Sequence, residues 1–291
     1  MRTIVVVLAT LLMAGPAVAS TYFDEKMKCP VGGERFVHQS LGSITTWGAA
    51  PDGMPMGSGS FPVALPQCPG NGLVLYENFD AAKVKRLTPI VASDEYRALR
   101  ERETRYYLAY WLAKSLDDAD KAPWLLLSAT WEAKNRDPAG EQARRYAGEF
   151  VDMVRAIPVS DTDFTSIALR ARAANALREL GRFEDAEALR SGIVIAPNAG
   201  GNEAEAAGNR EGWSGFLTAL AKTIARRESG RMPIDMIGDR QAVFRCIEPE
   251  GPESHPEAQL TPFERDYCAQ PNIATSVAEM RKMRGIKTET Q

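Results

Sequence analysis

Between Gly48 and Gly72 the chain reads GAAPDGMPMGSGSFPVALPQCPGNG. Glycine and proline are too dense there for a helix to propagate. Glycine gives up the most backbone entropy on ordering, and proline lacks the amide hydrogen. From Asp80 onward the character reverses. Breakers thin out, and apolar residues recur at the three-to-four-residue spacing of amphipathic helices. Such a chain has to fold as two unlike parts, one small and loop-rich, the other larger and helical. The small part has little apolar surface to offset its conformational entropy, so it needs a staple.

Cysteine chemistry offers one. The chain begins MRTIVVVLATLLMAGPAVAS. Arg2 precedes an apolar run from Ile4 to Ala14, Gly15-Pro16 breaks it, and Ala17-Val18-Ala19 gives the small-x-small cleavage pattern. This is the layout of a secretory signal peptide cut after Ala19, in a short, Ala-rich form of bacterial type. The run falls short of the roughly 20 apolar residues that span a bilayer, and no later stretch does better. The expected location is the periplasm or the exterior. All four cysteines, Cys29, Cys68, Cys246 and Cys268, lie beyond the cleavage point. An even number in an exported chain argues for disulfides. Of the three possible connectivities, two sequential pairs are favoured, because each pair sits in its own region.

The expected organisation is a signal peptide over 1–19, a small β/loop module over 20–78, an α-helical domain over 79–245, and a disulfide-closed loop and tail over 246–291. In the small module, RFVHQSLGSITTW suggests two short strands around a turn at Gly42, and GLVLYENF a further strand. Asp80 is a helix start. Ser93 then opens one helix through DEYRALRERETRYYLAYWLAKSL. Further helices are expected over APWLLLSATWEAKN, AGEQARRYAGEFVDMVRAI, DFTSIALRARAANALREL, FEDAEALRSGIVI and EAEAAGNREGWSGFLTALAKTIARRES.

ALRELGRFEDAEAL, residues 176–189, resembles the turn of a tetratricopeptide repeat: Gly181 ends one helix, Phe183 plugs the gap, and Ala186 lets the next helix approach. The resemblance implies stacked helical hairpins with a concave face for peptides or proteins. It also implies that Asn175 and Arg178 lie on the inner face of the first helix, where they could hold a ligand's backbone or carboxylate. CPVGG and CPGNG resemble the Cys-Pro-x-Cys-Gly knuckles of zinc ribbons, with Gly32 and Asn71 where each second cysteine would stand. The full order is similar to a group of uncharacterised bacterial proteins with a zinc-ribbon-like module followed by tetratricopeptide-like helices. That likeness supplies architecture and no activity. It implies that Cys29 and Cys68 are neighbours, and that a disulfide between them replaces the metal.

Other chemistries find little in the residues. A zinc site would have to combine Cys29, His38 and Cys68 with a fourth ligand such as Asp52 or Glu34. The chain has two histidines, His38 and His255, and no His-Glu-x-x-His. There is no Gly-x-Ser-x-Gly elbow. GMPMGSGSFP lacks the Lys-Ser/Thr ending of a phosphate loop, and Met54 and Met56 without nearby histidines are a weak copper signal. The acidic residues of EYRALRERE and FEDAE alternate with arginines as solvated helix faces do. Net charge is −3, one unit more negative without Arg2, and gives no push toward nucleic acid or anionic lipid. The expectation is a mainly α fold, with tetratricopeptide-like helical hairpins preceded by a small disulfide-clipped β/loop module. It carries no cofactor and has no membrane span after signal cleavage. Its function is non-catalytic binding or scaffolding of a peptide or protein partner. The alternatives are an enzyme with a cleft between module and helices, or a metal-binding module.

Overall fold

The computed structural model describes residues 20–247 and 259–286; residues 1–19, where a signal peptide is expected, the segment holding His255 and the last five residues lie outside them. Strands β1 (Thr21–Lys28) and β2 (Arg35–Ser43) form an antiparallel hairpin, and β3 (Thr46–Ala49) with β4 (Pro55–Gly57) a second, smaller one. The turn expected at Gly42 is absent. Thr21–Lys28 supplies a strand partner that the sequence reading did not include, and β2 runs through Gly42 to meet it. GLVLYENF contributes one isolated bridge, Gln67 to Val74, and no strand.

Eleven α-helices follow among the described residues. Asp80 starts α1 (Ala81–Ala92), its carboxylate accepting the Lys83 amide at 2.8 Å. Ser93 closes α1 and caps α2 (Asp94–Arg102) through the Tyr96 amide. The single helix expected from Asp94 to Leu116 is two. Buried Thr104 interrupts it, its hydroxyl accepting the Tyr107 amide that starts α3 (Arg105–Ser115) and its own amide donating to the Tyr146 hydroxyl. A threonine that can cap offers the backbone an alternative to helix, and here that alternative won.

Helices α4 (Ala122–Arg136), α5 (Glu141–Ala156), α6 (Phe164–Glu179), α7 (Phe183–Ser191) and α8 (Ala204–Ala225) each pack on the one before, so α3 to α8 form a stack of helical hairpins. Its core holds Tyr146, Phe150, Leu126 and Leu177, all fully buried. A second core joins the two unlike parts: Cys29, Cys68, Leu73 and Val74 of the N-terminal module pack with Leu87, Tyr96, Leu108 and Leu112 of α1 to α3. The change near residue 78 is therefore one of secondary structure, not of core. The third cluster gathers Ile234 of a 3-10 turn (Ile234–Met236), Ala242 and Cys246 of α9 (Asp239–Ile247) and Ile273 of α11 (Pro271–Arg284), with α10 (Pro262–Cys268) packed against them. No described helix is long and apolar enough to cross a membrane.

Candidate ligand-binding site

Both disulfides form in the sequential pairing, Cys29–Cys68 and Cys246–Cys268, with Cα atoms 5.7 and 5.8 Å apart. Such bonds persist in oxidising, extracytoplasmic surroundings. The two N-terminal knuckles share one backbone pattern. In each, the cysteine amide donates to the carbonyl five residues on, and the glycine four residues on donates back to the cysteine carbonyl. Gly33 and Gly72, at matching places, both take positive φ. Asn71 joins the knuckles, its amide donating to the Val31 carbonyl at 2.8 Å, and the Glu34 carboxylate accepts the Gly70 amide at 2.8 Å. Glu34 is thus occupied within the turn. His38 sits on β2 opposite Glu25. Among the described residues no three of His, Cys, Asp and Glu converge as metal ligands would.

Asn175 and Arg178, expected on the inner face of the first helix of the hairpin, are fully buried. Arg178 donates to the Asn175 side-chain oxygen and to the carbonyls of Glu228 and Gly230, tying α6 to the chain after α8. Asn175 donates to Glu179 at 2.6 Å. The bonds from Arg178 hold α6 against the chain that follows α8.

The junction between module and helices, where the enzymatic alternative would need a cleft, is bridged by residues 51–65. The Arg172 guanidinium donates to the Pro51 carbonyl, the Trp131 indole to that of Asp52, the Asn135 amide to that of Phe61, and the Tyr106 hydroxyl to that of Val63. At the centre Lys134 reaches Asp52 at 3.0 Å and Glu179 at 2.6 Å. Met54 sulfur accepts from Arg231.

The open feature lies elsewhere. A cavity of about 830 Å3 sits where α3, α5 and the first turns of α4 and α6 meet. This is a size typical of ligand pockets. Its floor is apolar, built from Tyr110, Pro123, Met153, Ile157 and Leu169. Carboxylates of Asp117, Asp118, Asp120, Glu149, Asp152 and Asp163 line it, against one cation, Lys114. Three of these acids are already engaged: Asp117 with Arg86, Asp118 with Lys83 and Lys121, and Asp163 as the cap of α6. Burial and the neighbouring Glu149 push the Tyr107 hydroxyl up to about 12, and they push Tyr110 further in the same direction. Both phenols therefore stay protonated and donate to Glu149, Tyr107 at 2.9 Å and Tyr110 at 2.7 Å.

None of these residues stands out in the sequence as part of a site. The acid run in SLDDADK and the one-turn pair Glu149/Asp152 were visible in the sequence. That they face one cavity follows only from how α3 and α5 pack. Compared with known families, curated proteins and solved structures, the chain matches none.

Proposed function

We propose that this protein is an exported, non-catalytic binding module for a peptide or protein partner in the periplasm or outside the cell, with the cavity beside α3 and α5 as its docking site. The cavity carries the reading: an apolar floor wide enough for several side chains, on a rigid stack of packed helices. The leader-type N-terminus and the two disulfides support an extracytoplasmic setting. The tetratricopeptide-like turn at Gly181, Phe183 and Ala186 supports a hairpin scaffold of the kind that presents surfaces to partners.

The test fills the cavity without touching the core. Ala156 lines it and is exposed, so Ala156→Trp should leave the melting temperature nearly unchanged and abolish capture of any partner that wild-type protein retains from periplasmic extract. Equal capture of the same partner by both would place docking elsewhere.

A further inference from the structure

Resting on that reading, we infer that the cavity takes a basic peptide segment, an Arg or Lys side chain beside Glu149 with apolar neighbours on the floor. Three lining carboxylates, Asp120, Glu149 and Asp152, have no cationic partner within ion-pair distance among the described residues. Glu149 is the best placed. Its two oxygens each accept one tyrosine hydroxyl, Tyr110 on Oε1 and Tyr107 on Oε2, so the carboxylate is fixed in orientation. A carboxylate offers about four lone-pair sites. Two remain for a ligand, one on each oxygen, and a guanidinium carries the paired donors that suit a carboxylate.

Asp152 lies one helical turn from Glu149, on the same side of α5. Two like charges so placed repel, and a cation between them relieves that repulsion. Lys114 alone opposes this field within the lining. A bare metal ion is a poor fit, because no three acidic groups converge. The apolar floor asks for carbon beside the charge, and the volume exceeds one cationic group. A short stretch of polypeptide supplies both, with apolar residues flanking a long cationic side chain. An Arg or Lys stem itself packs on apolar surface while its head stays with the carboxylates.

The experiment uses the full mature chain and three fluorescent peptides with the same apolar residues, carrying Arg, Gln or Glu at the central positions. Anisotropy titrations at low salt should show the Arg peptide bound roughly tenfold or more tightly than the Gln peptide, and the Glu peptide weakest. Glu149→Gln should lose about that factor for the Arg peptide and leave the Gln peptide unchanged. If that variant folds poorly, solvent-exposed Asp152→Asn provides the same comparison with a smaller loss. Equal affinity for the Arg and Gln peptides would overturn the inference while leaving a peptide-binding cavity standing. Failure of all three peptides would sink both readings. Spermine displacing the Arg peptide at equal concentration would show a site for small polyamines and overturn the commitment to a peptide. So would concentration-dependent self-association that Glu149→Gln removes, because the occupant would then be a second copy.

Discussion

Lys134 stands between two carboxylates from distant parts of the chain, Asp52 of the N-terminal segment and Glu179 of α6, and all three side chains are at most a tenth exposed. Burial pushes the Asp52 carboxyl up. The Lys134 and Arg231 charges and the Met54 amide more than reverse this, so it titrates below the ordinary range. For Lys134, burial works downward, and Glu179 and Asp52 hold the ammonium above its ordinary value. Removing the shared cation strands two buried carboxylates. Lys134→Met should therefore cost about 3–5 kcal/mol, read from denaturant unfolding. An unchanged midpoint would mean the triad is solvated in solution. A depressed carboxyl pKa contributes stability above the unfolded value of about 3.9, and that contribution is lost as pH falls through the lower folded value. Wild-type protein should thus lose melting temperature steeply below about pH 4. The Lys134→Met variant, already without the pair, should show a shallower acid limb. In the sequence Asp52 stands out only as a possible fourth zinc ligand. Its true partner is invisible there, because nothing local to PDG says that a lysine eighty residues on will meet it.

Four of the described helices end in one and the same motif, two of them on a glycine, α6 at Gly181 and α11 at Gly285. After α6, Gly181 takes φ +74°, its amide bonding Arg178 and the next amide bonding Leu177. Helix α3 closes likewise through Asp117 at φ +60°, and α8 through Arg227 at φ +55°. Glycine advertises a left-handed residue, whereas Asp and Arg do not, so the sequence marked the α6–α7 turn and was silent at the ends of α3 and α8. Gly181→Ala should cost about 1–2 kcal/mol through backbone strain alone, since a Cβ there meets no neighbour within 4 Å. Ala186, fully buried where α7 meets α6, tests the packing side of the same hairpin. Ala186→Leu should overpack it by about 1–3 kcal/mol, and a melting temperature equal to wild type would show that the helices part easily there. Helices α4, α5, α6 and α8 were legible because each is long and bounded by breakers, whereas α7 starts where expected and stops at Ser191, short of the GIVI expected to continue it. The split at Thr104 and the strand at Thr21–Lys28 were not, because caps and pairing partners are settled by contacts far off in sequence. The cavity failed to show for the same reason: its acids come from the loop after α3, from α5 and from the cap of α6.

Across the whole molecule, charge and cohesion are both unevenly spread. A net charge of only −3 conceals a cavity in which three lining carboxylates, Asp120, Glu149 and Asp152, stand without a cationic partner among the described residues, so composition alone gave no hint of this local excess. Cohesion runs across the boundary that composition suggested. The N-terminal module contributes its disulfide, Leu73 and Val74 to a core completed by α1 to α3, and its segment from Pro51 to Val63 is held at four carbonyls by side chains of α3, α4 and α6. By contrast the β1–β2 hairpin leaves Tyr22, Phe23 and Val37 more than half exposed. A lone two-stranded hairpin is marginal in water. These observations predict that the disulfide-intact chain unfolds as one cooperative unit apart from that hairpin. The calorimetric and van't Hoff enthalpies should agree, and far-UV and near-UV transitions should coincide. Amide exchange should separate the hairpin, which opens locally, from Leu73 and Val74, which exchange only with the helices. Substituting both Cys29 and Cys68 by serine removes the constraint on the unfolded chain and should lower stability by about 2–5 kcal/mol. The shared core should nonetheless keep the transition single. Two resolved transitions in the disulfide-intact protein would show the module to be an independent domain resting on the helices, and the core it shares with α1 to α3 to be energetically idle.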